Sequence, residues 1–352
     1  MGQGLRAMGH ARWFRRLPVF GAPHSLRAGR TRHIMMTSIL KSLRRAHMDV
    51  RLRHGPGHVV RIMERPGRWM SEGDLAALTA DLRIVAAKTL GDGALTYGVF
   101  SGARDALHDT IITLVSTRDG TPVAFNALAV MTVDTQPDPV DVLHLGLVMV
   151  DPDECSGGLS WVLYGLTCFL LSVRQQFRPI WVSNVTQVPA VVGMVGAMFS
   201  DVWPKPDAQR RTLGHVVLAR RIMEGHRGVF GVGAEAGFDE ARSVITNAYT
   251  GGSDDLKKTW DAAPKHRDPA FNAFCAAELD YARGDDLLQL GRIDLPAIRR
   301  YLTREVPKTA MIGVMFTGVY VALRRLVLPV MYWSDSTRRF SILRPAKGPR
   351  DG

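Results

Sequence analysis

The clearest chemistry in the chain lies at residues 145–160, LGLVMVDPDECSGGLS. An apolar run ends at Val150, Pro152 interrupts it, and small residues lead into a second apolar run from Trp161. Strand, small-residue loop and helix in that order leave the first backbone N–H groups of the helix unpaired and aimed at one point, backed by the helix dipole. Such a point holds an anion, and a pyrophosphate suits it. Gly157 and Gly158 admit a close approach because no Cβ intervenes, and Ser160 is small enough to avoid a clash. His144 is the only titratable side chain between Asp141 and Asp151, and its intrinsic pKa lies near neutrality.

Other site chemistries lack their residues. There is no Gly-Lys-Ser/Thr ending of a Walker loop, no GxGxxG and no His-Glu-x-x-His. The three cysteines, Cys155, Cys168 and Cys275, have no metal-ligand spacing, so neither a metal nor a disulfide scaffold is expected, and a reducing compartment fits.

The elements around this loop read as an α/β pattern. Residues 71–89 repeat Leu75, Leu78, Leu82, Val85 and Ala86 at helical spacing behind a Ser71 or Glu72 cap. Residues 109–116 and 123–133 predict two strands joined by the Asp119-Gly120 turn. A polar loop at 134–139 precedes a third strand at 141–150, apolar enough for burial on both faces. A helix at 161–175, a strand at 180–184 and a helix opened by Pro189 at 189–199 follow. Residues 202–211 predict a Pro-rich loop and 215–220 a further strand. Beyond 225 the pattern reads as mainly helical, at 238–249, 253–262, 269–283 and 295–306. This divides the chain into a basic tail (1–34), a central unit (35–225) and a helical C-terminal region (226–352).

Charge separates these parts. The chain has 352 residues and a net charge of +12. Residues 1–70 hold 15 Lys and Arg against 2 Asp and Glu, and the rest holds 30 against 31, so the basicity belongs to the N-terminal fifth. Residues 1–33 lack both acid and an apolar signal core. A disordered tail, a reading frame that truly starts at Met35 or Met36, and a transit peptide all fit. Contact with an anionic membrane surface is the functional alternative, and nucleic acid is not an expected partner, because a basic tail is sticky without being specific. No apolar run reaches the length of a membrane span: the nearest, 310–333, is broken by Arg324 and Arg325. It reads as a buried helix or one lying on a bilayer. The expected location is cytoplasmic, with a peripheral membrane contact as the alternative.

The loop and its surroundings resemble the GNAT superfamily of N-acyltransferases. Val150-Asp151-Pro152 resembles the family's strand ending. Cys155, Ser156, Gly157, Gly158, Leu159 and Ser160 align with its coenzyme A loop, with Gly158 on the key glycine and Ser160 on the small residue. The likeness covers roughly residues 72–222. It implies a mixed, mostly antiparallel central sheet flanked by helices, and acyl transfer from acetyl-CoA or a longer acyl-CoA to a small-molecule amine. It also implies that two strands splay beside the loop, so that the backbone of Leu147, Val148, Met149 and Val150 binds the pantetheine arm. The second splayed strand would be 180–184, with Asn184 near the thioester.

Acyl transfer to an amine needs a base and an oxyanion donor. A backbone N–H on the loop strand can serve as the donor. His144 is the first candidate for the base, against a reading as a core histidine, with Asp141 and Glu154 as alternates. By alternation His144 should share a face with Val142, Gly146 and Val148. The family's acid is a Tyr on the helix after the second splayed strand; Met194 and Phe199 stand in that region, leaving Tyr164 as a substitute. Cys155 replaces the family's Gln or Arg and Ser156 a common Gly. Those departures support a second reading, a CoA- or acyl-binding module without catalysis. A membrane-surface interaction protein is a third. Cys155 as an acyl-carrying nucleophile is a further alternative.

Overall fold

The computed structural model describes residues 47–304 except 56, 91–97, 136, 155–158, 160, 209, 252, 254 and 255, together with 306, 318, 319, 322 and 323. One mixed sheet runs through all of it. Its strands are β1 (Asp49–His54), β2 (His58–Glu64), β3 (Thr110–Thr117), β4 (Pro122–Val133), β5 (Val140–His144), β6 (Val148–Val150), β7 (Ile180–Thr186), β8 (Ser200–Trp203), β9 (Gly237–Asp239), β10 (Val244–Thr246) and β11 (Asp286–Ile293). The spatial order is β1-β2-β3-β4-β5-β7-β11-β10-β9, with β6 on β4 and β8 on β11. Every pairing is antiparallel except β5 with β7.

Among the described residues six α-helices accompany the sheet: α1 (Glu72–Leu90), α2 (Thr167–Arg174), α3 (Pro189–Met198), α4 (Leu213–Gly225), α5 (Pro269–Glu278) and α6 (Leu295–Arg304). On the first face α1 packs Leu75, Leu78, Leu82 and Val85 against Phe125, Ala127 and Met149. Its start is capped by Ser71, whose Oγ accepts from the Asp74 N–H at 3.2 Å. Helix α4 covers the same face further along, setting Leu218 and Ile222 against Met131, Val142 and Leu288. The opposite face carries α2, α3 and α6, which bury Cys168, Val195 and Ile298 against Ala124, Leu128 and Val182. Covered on both sides, the central strands have no solvent face, which is why β4 reads as a nearly unbroken apolar run.

A π-helical turn, Trp161–Leu166, leads into α2. Buried Asn126 on β4 pins it, donating to the Leu163 carbonyl while its Oδ1 accepts the Thr113 N–H at 3.1 Å. Thr113 and Thr167 hydroxyls meet at 2.6 Å beside it. These groups satisfy one another inside the core, as buried polar groups must.

Several expectations change. The stretch 215–220 is part of α4, not a strand. Thr212 caps it and His215 completes a reciprocal capping box, and the buried set His215, Leu218, Ala219, Ile222 and Met223 has helical spacing. Residues 238–249 are not a helix but supply β9 and β10, and 253–262 contain no α-helix among the described residues. Among the described residues after 225, two α-helices, α5 and α6, accompany three strands: β11 lies beside β7 over seven residue pairs and carries β10 and β9 outward. The single strand read at 141–150 is two, β5 and β6. The hairpin β1–β2 has no counterpart among the expectations. The apolar run 310–333 lies almost wholly outside the described residues, as does the tail 1–34. No described helix is long and apolar enough to cross a membrane.

Candidate functional site

The break between β5 and β6 has a countable cause. His144 pairs with Ala129, and Val148 pairs with Asn126. Four steps along this edge face three along β4, so one extra residue sits between them as a β-bulge. Gly146 makes the bulge possible, because a Cβ there would stand 2.5 Å from the Ala127 carbonyl oxygen.

The bulge separates two strands. β5 runs parallel to β7 from the Val142–Trp181 pair to the His144–Ser183 pair. The Leu145 N–H then donates to the Ser183 carbonyl at 2.7 Å, the last hydrogen bond between them among the described residues. Beyond it β6 pairs only with β4, and Asn184, Val185 and Thr186 pair with β11. Among the described residues β6 and β7 are not paired with one another, and the interval between them is called the wedge below.

Its inner edge can be read atom by atom. The Ala127 N–H donates to the Leu147 carbonyl at 2.9 Å and the Asp151 N–H to the Val123 carbonyl at 2.8 Å. In an antiparallel ladder alternate residues turn their backbone groups to the same neighbour. Residues 147, 149 and 151 thus face β4, and Val148 and Val150 turn theirs toward the wedge. The Val150 carbonyl also lies 3.4 Å from Thr89 Oγ1. The Met149 and Val150 side chains are buried.

At the end of β6, buried Asp151 meets the Lys88 ammonium at 2.5 Å. Burial opposes the charge on Asp151, but the bond from Lys88 and the Asp153 N–H outweigh it and hold the carboxyl below its ordinary range. Cys155, Ser156, Gly157, Gly158 and Ser160, the anion-loop candidates, lie outside the described residues. Leu159 is described and buried.

The predicted acid–base residues are not brought together. His144 points to the α4 face, its Nδ1 3.1 Å from Ser183 Oγ and its ring centroid 5.1 Å from that of Phe230. Burial pushes its pKa down to about 4, so the ring is neutral at pH 7. It shares a face with Val142 as expected. It does not share one with Val148, because the bulge turns Val148 to the opposite side. Asn184, next to Ser183 on the strand, points to the other face, where its Nδ2 donates to Gln289 Oε1 at 3.2 Å. Tyr164 is buried in the core beneath that second face, and burial, with the neighbouring Cys168, raises its hydroxyl pKa above the ordinary value. Asp141 accepts from Thr132 Oγ1 at 2.7 Å, and Glu154 pairs with His58 at 3.2 Å.

Sequence reasoning missed Ser183, Phe230 and Gln289. A signal existed for Gln289, a lone amide inside the apolar run Leu287–Leu290, since a buried amide must find partners. No family model matches the chain, and no curated protein matches it.

Proposed function

We propose that the wedge between β6 and β7 binds the pantetheine arm of an acyl-CoA, and that the chain transfers the acyl group to an amine. The observation that carries this reading is the one-residue bulge, beyond which the Val148 backbone N–H and carbonyl and the Val150 N–H face away from β4, on the side where the pairing with β7 has ended. An open strand edge with paired donors and acceptors adds an extended amide-bearing chain as a further strand. Pantetheine, with two amides on a flexible arm, is such a chain. The loop at 155–160 would hold the pyrophosphate at the start of the following helix. The Val148 N–H would stabilise the oxyanion formed as the amine attacks. The likeness to the GNAT superfamily supports the same reading, with its strand order helix, hairpin, bulged strand, helix, strand.

Titration calorimetry with acetyl-CoA tests it, with binding expected in the micromolar range. Absence of heat at millimolar ligand, with the protein folded, removes it.

A second reading keeps binding and drops turnover. It is favoured by His144, which is neutral, buried and on the opposite face from Asn184, and by Tyr164, whose burial disfavours ionisation. Thiol release from acetyl-CoA with a panel of primary amines separates the two. Release above the uncatalysed rate supports transfer; binding without release supports the module.

A further inference from the structure

Gln187 follows β7 directly and is buried, at 1% exposure. Its neighbours fix the orientation of its amide. One end lies 3.2 Å from the Lys258 carbonyl, which only accepts, so that end is the NH2 group. The other end lies 2.5 Å from the Lys258 backbone N–H and is therefore Oε1. The Tyr249 hydroxyl stands 2.9 Å from that same oxygen. It also stands 2.9 Å from Oδ1 of Asp286, the buried first residue of β11. An amide oxygen and an ionised carboxylate only accept, and a tyrosine hydroxyl carries one proton. Both contacts are hydrogen bonds only when Asp286 is itself protonated and donates to Tyr249, while Tyr249 donates to Gln187. When Asp286 is ionised it takes the Tyr249 proton, and Gln187 Oε1 then faces a lone pair. Turning the amide to meet that lone pair would set Oε1 against the Lys258 carbonyl and the NH2 group against the Lys258 N–H. Either arrangement leaves buried polar groups opposed, so the link to Lys258 gives way.

We infer that Asp286, Tyr249 and Gln187 form a proton-operated latch, closed while Asp286 is neutral and opened by its ionisation. The latch ties the end of β7, just before α3, to the segment 249–258. Tyr281 adds a second tie, its hydroxyl donating to the Gln187 carbonyl at 2.7 Å, and burial keeps that hydroxyl protonated. The groups around Asp286 favour its neutral form. Asp285, next to it, keeps its charge against burial through Arg283 at 2.6 Å. Lys257 directs its ammonium to the Ala282 carbonyl at 2.8 Å. Ile245 stands opposite on β10, and burial pushes the Cys275 thiol of α5 up to about 12. Among the described residues no cation pairs with Asp286. Burial lifts the Asp286 carboxyl to about 7, against the bond from Tyr249 and with the Asp285 charge adding to the rise. The latch therefore holds at acidic pH, and its contribution is lost as the pH rises through about 7.

Hydrogen exchange at the Lys258 amide of the full-length protein, without ligand and corrected for the intrinsic effect of pH, reads the latch. In the parent its protection should fall roughly tenfold from about pH 5.5 to about pH 7.5. Asp286→Asn keeps a donor toward Tyr249 that pH cannot remove, so its protection should stay at the parent's acidic level throughout. Tyr249→Phe breaks the chain and should be weakly protected at both values. Protection in the parent that ignores pH overturns the inference. So does a fall of the same size in folded Asp286→Asn, or parental protection at acidic pH in Tyr249→Phe. If Asp286→Asn does not fold, the Asp286 13Cγ resonance of the parent decides. Titration in step with the Lys258 exchange supports the latch; titration without it, or a carboxylate already at about pH 5.5, overturns it.

Discussion

Lowering the pH should separate the two roles open to His144, and the structure sets the size of the effect. Burial sets the folded pKa at about 4 against the ordinary value of 6.5. Above about pH 6.5 the ring is neutral folded or unfolded and contributes no pH dependence. Below it the unfolded chain takes a proton that the folded chain refuses. Stability is then lost as the pH falls from 6.5 toward 4, by about 2 kcal/mol at pH 5 and about 3 kcal/mol in full. Asp286 acts in the opposite sense. Burial lifts its folded pKa to about 7 against the bond from Tyr249, so its contribution rises as the pH falls through the same range. The parent's own profile therefore mixes the two, and the comparison with His144→Gln isolates the first. Urea unfolding of both proteins at about pH 7.5 and about pH 5 reads it. The stability gap between parent and variant should move by about 2 kcal/mol in the variant's favour on acidification. A gap that stays constant refutes the burial argument. Turnover on the same samples settles the chemistry, since an unchanged kcat in folded His144→Gln takes this residue out of the mechanism.

Gly146→Ala should destabilise the fold by about 1–3 kcal/mol, because its Cβ meets the Ala127 carbonyl oxygen at 2.5 Å; a Tm equal to the parent's would show that the bulge can shift. If the loop holds the pyrophosphate as proposed, Gly158→Glu should abolish acetyl-CoA binding by setting a charge and a side chain there, and equal affinity by calorimetry would remove the loop from the site. Deleting residues 1–34 should leave Tm within error, because the segment holds neither apolar periodicity nor acidic partners; a drop of several degrees would show that it packs on the body.

Elements held together by their own sequence pattern were legible. Helix α1 shows its buried stripe and its Ser71 cap in one window, and the β3–β4 turn shows Asp119-Gly120, with Gly120 at φ 98°. Elements defined by distant partners were not. β9 and β10 are three residues each, too short to display alternation, and β10 becomes a strand by pairing with β11 about forty residues later. The hairpin β1–β2 was legible and overlooked: Val50 and Leu52 alternate with Arg51 and Arg53, and Gly55-Pro56-Gly57 marks the turn. At the site, the end of a strand at Val150 was legible from the apolar run that stops before Pro152, while most of the loop 155–160 lies outside the described residues. The face of Val148 did not, since one inserted residue reverses every side chain beyond it and only the pairing with β4 reveals the insertion.

The position of β11 has a consequence for biosynthesis. Its partner β7 ends at Thr186, while β11 begins at Asp286, so about a hundred residues leave the ribosome between the two halves of that ladder. At roughly 5–20 residues per second, β7 waits on the order of 5–20 s with its outer edge unsatisfied. Its apolar run Ile180–Val182 is then an inviting template for any other extended chain. α3 and α4, emerging in that interval, can shield the strand's two faces but not its edge. Slowing translation across residues 187–285 should raise the yield of aggregated chain, whereas the same delay placed after Ile293 should not.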